Sequence, residues 1–393
     1  MFIDIILFMK KILFLMLILL IGIFLLYDYE YGFSDDEIRL GMSAPFSGNK
    51  SDLGNEMYMG ANAYFQYTNN SGGVYGRFIK LLTRDNRYEP ELAIKNANDF
   101  IKKDKIFAFF GSVGTPTSKV ILPIALKHNI PFLGAFSGAE FLRTHHNPLV
   151  LNSRVSYKEE AEKLIQYFVN NKKCTRIAVF YQNDSFGRSG LKGVRAALNK
   201  RNLKIIAEGS YKRNTLSVGN ALYEISLSRP EVIILIGTTM PVAQFIKRAR
   251  LNKKINKNVK FATLSFVNPK LLLKTLKFNS KNIIFSQIVP SPWVSKKRQI
   301  VKYRELMRKY YPNKDFSFIS LEGYFAAKMV VQLFKDVGKN FTKSDFIRAM
   351  KNLSLKIENS ARDKNISSEC VCLNRIHLMK YTNNMFELIE DTK

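Results

Sequence analysis

The run Gly111-Ser112-Val113-Gly114-Thr115-Pro116 combines a small hydroxyl, two glycines and a helix-starting proline. Glycines leave the backbone bare. Proline fits a first helical turn because the N–H it lacks has no partner there, and Thr115 is a favourable N-cap. A helix starting here would turn free amides and partial positive charge toward a carboxylate or other polar anion, with the Ser112 hydroxyl and Gly114 beside it. The same residues also make an ordinary capped strand–helix turn. Gly-x-x-x-x-Gly-Lys and Gly-x-Gly-x-x-Gly are both absent, so the run is neither a P-loop nor a dinucleotide fingerprint.

A second run, Gly134-Ala135-Phe136-Ser137-Gly138, ends the next apolar stretch. Ser137 offers a hydroxyl, and Phe136 is either a pocket wall or core. Ala135 stands where a Gly-x-Ser-x-Gly elbow needs glycine, which argues against nucleophilic catalysis. Tyr157, Thr238, Thr239, Ser265 and Phe266 also follow apolar runs, where surface loop residues of the same kinds are common. His128, His145, His146 and His377 are the four histidines. The adjacent pair would diverge on a strand, has no His-Glu-x-x-His around it, and reads as a surface loop before Asn147-Pro148. Cys174, Cys370 and Cys372 allow at most one bridge and lack zinc-site spacing, so buried or incidental thiols are expected. The sequence thus predicts no enzyme, no metal and no cofactor.

These runs need elements to position them. Short apolar stretches at 38–42, 78–82, 106–110, 131–134, 176–181, 203–207, 231–236, 261–264 and 283–288 read as strands. Helical spacing at 54–70, 90–103, 115–129, 187–201, 216–228 and 241–251 falls between them. Strands separated by helices of a dozen or so residues imply parallel sheets with right-handed crossovers. The expected fold is α/β, two doubly wound parallel-sheet lobes joined by a hinge, with a ligand cleft between the carboxyl ends of their strands. The first lobe would take 35–155 and a returning helix within 321–355, the second 156–320, with 356–393 a C-terminal segment.

The chain has 393 residues, of which 46% are hydrophobic and 24% charged, enough for a folded core. Its 61 Lys and Arg against 32 acids leave a net charge of +29. Such an excess raises nucleic acid or an anionic membrane surface as partners. The lysines are spread along the chain without a zinc-finger, homeodomain or RNP-type signature, so a solvated Lys-rich surface is the better reading and nucleic acid is not expected.

Residues 12–26 are unbroken apolar, preceded by Lys10 and Lys11 and followed by acids from Asp28 onward. As helix they reach about 22 Å, short of the roughly 30 Å hydrocarbon core. Residues 1–34 therefore read as an export signal, with Met9 an alternative start and an uncleaved membrane anchor the other reading. Gly32-Phe33-Ser34 offers small residues for cleavage before Asp35, with no Ala-x-Ala and no nearby lipid-accepting cysteine. The expected location is the periplasm or cell envelope.

Five segments in order resemble the type I periplasmic binding proteins, in particular the leucine/isoleucine/valine-binding group that serves ABC transporters. They are IRLGMSAPFSG with GNEMYMGANAYFQYTNNSGGVYGRFIKLLTRDN, FAFFGSVGTPTSKVILPIALKHNIPFLGAFSGAEFLR, RIAVFYQNDSFGRSGLKGVRAAL and SLEGYFAAKMVVQLF. The resemblance covers about 36–355. It implies an exported solute-binding protein that closes two lobes on a small polar ligand (amino-acid, amide or carboxylate-like) and delivers it to an ABC permease. A sensor ectodomain is the alternative and an exported enzyme a weaker one.

The resemblance also gives Ala135, through its backbone, and Ser137, through its side chain, a ligand-holding role. In the amino-acid-binding relatives a second-lobe acid neutralises the ligand ammonium. Its counterpart falls near Ser265, which is uncharged, and that of a covering aromatic falls near Leu53. A buried ammonium without a carboxylate is costly, so a simple branched-chain amino acid fits poorly. Asp184 and Glu322 are the candidate substitutes, with capping or surface roles as the alternative.

Overall fold

The computed structural model describes residues 10–12, 14–16, 34, 36–143, 147–362 and 375–389 (357–362 in backbone only). In the first half β1 (Glu37–Ala44) leads to α1 (Ser51–Asn70), β2 (Phe78–Asp85), α2 (Pro90–Lys102), β3 (Ala108–Phe110), α3 (Thr115–Lys127), β4 (Phe132–Leu133) and β5 (Val150–Leu151). The five strands form one parallel sheet in the order β2-β1-β3-β4-β5. β3, β4 and β5 are wholly buried, as runs such as Ala108-Phe109-Phe110 require when helices cover both faces.

The second half repeats the pattern. α4 (Tyr157–Ile165) precedes β6 (Ile177–Gln182), α5 (Ser185–Asn199), β7 (Ala207–Tyr211), α6 (Gly219–Leu227), β8 (Val232–Ile236), α7 (Thr239–Leu251), β9 (Lys260–Thr263), α8 (Pro269–Thr275) and β10 (Ile283–Gln287). Then come α9 (Arg298–Tyr310), α10 (Phe318–Val337), α11 (Lys343–Arg362) and the strands β11 (His377–Thr382) and β12 (Met385–Leu388). The second sheet runs β12-β11-β10-β9-β8-β6-β7. Its first five strands in the chain are parallel and carry the same winding as the first sheet, while β11 and β12 add antiparallel at the β10 edge. In each lobe the order reverses between the first and third strands. Ligands of open α/β sheets bind outside the carboxyl ends of strands at such a switch point.

The strand expected at 203–207 lies instead at Ala207–Tyr211. β7 is an edge strand with half-buried positions, so its residues lack the apolar run of the central strands. α10 returns to pack against α1, and the two backbones nearly touch: a Cβ at Gly60 would sit 1.7 Å from the Ser320 carbonyl oxygen, and one at Gly323 2.2 Å from that of Met57. Among the described residues no helix is long and apolar enough to cross a membrane. Most of the apolar run 12–26, together with His145, His146, Cys370 and Cys372, lies outside the described residues. Cys174 is a buried free thiol.

Candidate functional site

The two Gly-rich turns of the first lobe are stitched together at the carboxyl ends of β3 and β4. The Phe136 amide donates to the Ser112 carbonyl at 2.9 Å, and the Gly114 amide to the Phe136 carbonyl at 3.2 Å. Gly114, not Thr115, holds the N-cap place of α3. Its φ of +104° is a conformation that side chains resist, and a Cβ there would lie 2.5 Å from the Tyr88 ring. The N-cap preference of threonine is overridden because the chain needs this glycine turn one residue earlier. Thr115 is therefore already helical, and its hydroxyl lies 2.8 Å from Ser137 Oγ and 3.5 Å from the Tyr157 hydroxyl. Tyr157 is not in a loop; it opens α4 behind a Ser156–Glu159 capping box. The structure thus gathers Ser112, Gly114, Thr115, Ala135, Phe136, Ser137 and Tyr157, all buried.

Within this group Ser112 Oγ has no hydrogen-bond partner, although the residue is only 1% exposed; Ser118 Oγ on α3 is in the same position. Such orphaned groups carry the cost of desolvation without a compensating bond. Burial pushes the Tyr88 phenol well above its ordinary range, and Asp184 reinforces this. α3 begins beside Ser112, and the first amides of a helix have no acceptor inside it. Ser112 and the start of α3 thus leave donors without a partner at the carboxyl end of β3.

The second lobe closes over it. Phe266, past the end of β9, packs 5.2 Å from Phe136 and 6.2 Å from Tyr88 between ring centroids. Phe186 lies 4.6 Å from Phe266 and 5.2 Å from Tyr157. Polar contacts ring the aromatic cluster: Arg213 donates to Glu89 at 2.9 Å, Asn268 to Glu56 at 2.9 Å, and Asn214 bonds both Lys50 and Glu89. Burial holds Lys50 down at about 8, Asp52 up at about 6 and Glu56 up at about 7. Leu53, the position of the expected aromatic cover, is packed into the core from α1, while Tyr88 and Phe136 supply rings from the first lobe.

Ser265 and Thr239 are spent on structure. Thr239 Oγ1 accepts from the Asn268 amide at 3.1 Å. Ser265 accepts from Arg154 and donates to Glu160 Oε1 at 2.8 Å, while its amide donates to Glu160 Oε2 at 2.8 Å. Arg154 is buried at 1% exposure. It binds Glu322 of α10, lies 3.8 Å from Glu160 and sits 4.5 Å from the Phe136 ring centroid. Ser286 donates the third hydrogen bond to Glu160 at 2.8 Å. Burial pushes the Glu322 carboxyl up, against the pull of the Arg154 guanidinium beside it. Asp184 caps α5 at the amides of Phe186 and Gly187. Both acids considered as ammonium partners therefore already have partners, and a guanidinium stands beside Ser265.

The sequence profile of the periplasmic binding protein family matches residues 37–369. The chain belongs to this family. A possible leucine/isoleucine/valine-binding protein from Rhodopirellula baltica superposes with a TM-score of 0.80 at 27% identity, over 91% of this chain and 97% of that one. A fatty acid ABC transporter substrate-binding protein from Thermomonospora curvata superposes with a TM-score of 0.78 at 16% identity, over 92% and 93%, a likeness of fold alone. An amino acid binding protein from Pseudomonas aeruginosa is 23% identical over 216 residues, 54% of this chain and 57% of that protein. The chain spans about half the length of the curated relatives it matches. The resemblance read from the five sequence segments is thus to the right family, and the relatives and solved structures bear the names of solute-binding proteins rather than enzymes.

Sequence reasoning missed Arg154, Glu160, Tyr88, Phe186 and the cross-lobe pair Glu89–Arg213. A lone arginine between Ser153 and Val155 carries no periodic signal. The one available hint for Arg154 was the uncharged Ser265 in a periplasmic binding protein.

Proposed function

We propose that this periplasmic binding protein captures a small polar molecule at the orphaned hydroxyls beside the start of α3 and passes it to an ABC permease in the cell envelope. The observation that carries this reading is Ser112 Oγ, buried without a partner at the switch point of one lobe, where Phe266 of the other lobe packs on Phe136 of the neighbouring turn. Ligand-bound and ligand-free forms would differ by opening at the hinge, with the ligand favouring closure through contacts to both lobes. The ligand would present a carboxylate or amide oxygen to Ser112, Thr115 and the α3 amides. Ala135 and Ser137 support that end, and Phe136 and Phe266 wall the pocket.

A free ammonium group is disfavoured beside Ser265, because Glu160, Glu322 and Asp184 are each engaged and Arg154 brings positive charge there, while burial holds the other cleft acids, Asp52 and Glu56, toward their neutral forms. Carboxylates and amides without a free ammonium therefore fit better than simple branched-chain amino acids. Residues 1–34 would serve as export signal or anchor.

A metabolite screen by thermal stabilisation tests the reading. Ligand at 100 times its Kd adds about 2.7 kcal/mol of stability. Stabilisation by carboxylates or amides is expected. Stabilisation confined to ammonium-bearing amino acids would overturn the ligand class, and turnover of a bound compound would overturn the binding-protein reading.

A further inference from the structure

The second lobe has an uneven distribution of charge. Between Glu231 and Glu305 the chain runs 73 residues without a single Asp or Glu, and 16 of those residues are Lys or Arg. Part of this stretch folds around a pocket of about 230 Å³ at the amino ends of β9 and β10, the opposite end of the sheet from the cleft. Arg250, Lys257 and Lys281 line it together with Asn256, Asn279 and Asn282.

The polar groups of this pocket are oriented as donors. Asn256 Oδ1 accepts from the Asn258 amide at 2.8 Å, and Asn279 Oδ1 from the Lys281 amide at 3.3 Å. The oxygens of Asn256 and Asn279 are thus each taken by their own turn, which leaves their NH2 groups as the groups that can serve a ligand. Arg250 is fixed by bonds to the carbonyls of Asn279 at 3.1 Å and Lys281 at 2.7 Å, with Phe261 beneath it at 6.0 Å. Two of its five N–H groups are so engaged, which leaves three. Glu231, just before β8, is committed to the amides of Thr175 and Arg176 at 2.8 and 3.0 Å. The lining thus carries three cations and three amides and no carboxylate, with Lys257 and Lys281 exposed at its rim.

We infer that this pocket binds a phosphate-type anion, either free phosphate or the phosphodiester headgroup of an anionic lipid. A fixed guanidinium and two mobile ammonium groups suit a tetrahedral oxyanion, which accepts bonds from several directions. The pocket lies away from the cleft, so its occupancy does not depend on the cleft ligand and its test stands apart from the reading above.

The test uses the full chain in two arms. The first follows inorganic phosphate by phosphorus NMR titration. The second follows sedimentation with phosphatidylcholine vesicles, with and without phosphatidylglycerol. Three proteins are compared with the parent: Lys257→Glu/Lys281→Glu, the milder Asn256→Asp, and a charge-matched first-lobe control, Lys95→Glu/Lys102→Glu.

The expected result is that at least one arm shows binding, that Lys257→Glu/Lys281→Glu loses tenfold or more, that Asn256→Asp loses less, and that the control keeps it. Phosphate binding without a vesicle preference identifies free phosphate as the source. A phosphatidylglycerol preference that inorganic phosphate competes away identifies the headgroup. Binding in neither arm, or an equal loss in the first-lobe control, would overturn the inference, the latter because it would mean a diffuse basic surface.

Discussion

Replacing Arg154 by Met should destabilise the protein in a pH-dependent way. The guanidinium is buried, and so are both acids around it, with Glu160 and Glu322 side chains 0% and 6% exposed. The two acids would not suffer equally. Glu160 keeps three other donors, the Ser265 amide and the hydroxyls of Ser265 and Ser286. Glu322 has Arg154 as its charge partner and would be left buried beside methionine. Breaking a buried pair from one side costs about 3–5 kcal/mol.

Without the guanidinium, burial acts unopposed on Glu322 and lifts its folded-state pKa further above the ordinary 4.5. Between those two values the folded variant holds more protons than the unfolded chain. Its stability should therefore rise as pH falls, by at most about 1.4 kcal/mol per pH unit for this one carboxyl. Urea unfolding followed by circular dichroism at pH 8 and pH 5.5 measures both quantities. Arg154→Met/Glu322→Gln should recover most of the loss at pH 8. A loss below about 1 kcal/mol, the range of an exposed ion pair, would refute the buried network. So would a loss of the same size at both pH values.

Gly114→Ala should cost about 1–3 kcal/mol or more, because φ of +104° and the 2.5 Å approach to Tyr88 both oppose a Cβ; an unchanged urea midpoint would contradict the turn. Burial raises Glu56 from 4.5 to about 7, so the folded state holds the extra proton between those values and stability falls as pH rises through that window. Glu56→Gln should flatten this slope and raise stability at pH 8, which unfolding from pH 4 to 8 would reveal. Glu89→Ala removes the partner of Arg213 and Asn214 across the cleft. A partly exposed pair of this kind is worth about 0.2–1 kcal/mol, so the open form should gain up to about fivefold in population, seen as a larger radius of gyration by small-angle scattering with urea stability nearly unchanged.

The central strands were legible because β3, β4 and β8 are buried on both faces and read as unbroken apolar runs. β7 was misplaced because an edge strand with a close approach at Gly209, where a Cβ would lie 2.6 Å from the Ala221 carbonyl oxygen, has little apolar pattern of its own. The hairpin of β11 and β12 went unassigned, although Asn383-Asn384 with φ of 50° and 60° is the turn chemistry a tight hairpin needs. In the site, the two Gly-rich turns stood out because glycine, serine and proline are punctuation that sequence displays. The Arg154 network did not. Its members come from the chain after β5, from α4, from the end of β9 and from α10, and each acid alone resembles an ordinary helix carboxylate. Only the fold brings them together.

The most direct test of the cleft is a calorimetric titration of wild type and Ser112→Ala with whichever carboxylate or amide the stabilisation screen selects. If Ser112 Oγ exchanges a water bond for a ligand bond in the closed cleft, the variant should bind more weakly by about 0.5–1.5 kcal/mol, or about 1.5–3 kcal/mol when the bonded ligand group is charged. Equal affinities for the two proteins would contradict the placement of the ligand at the start of α3.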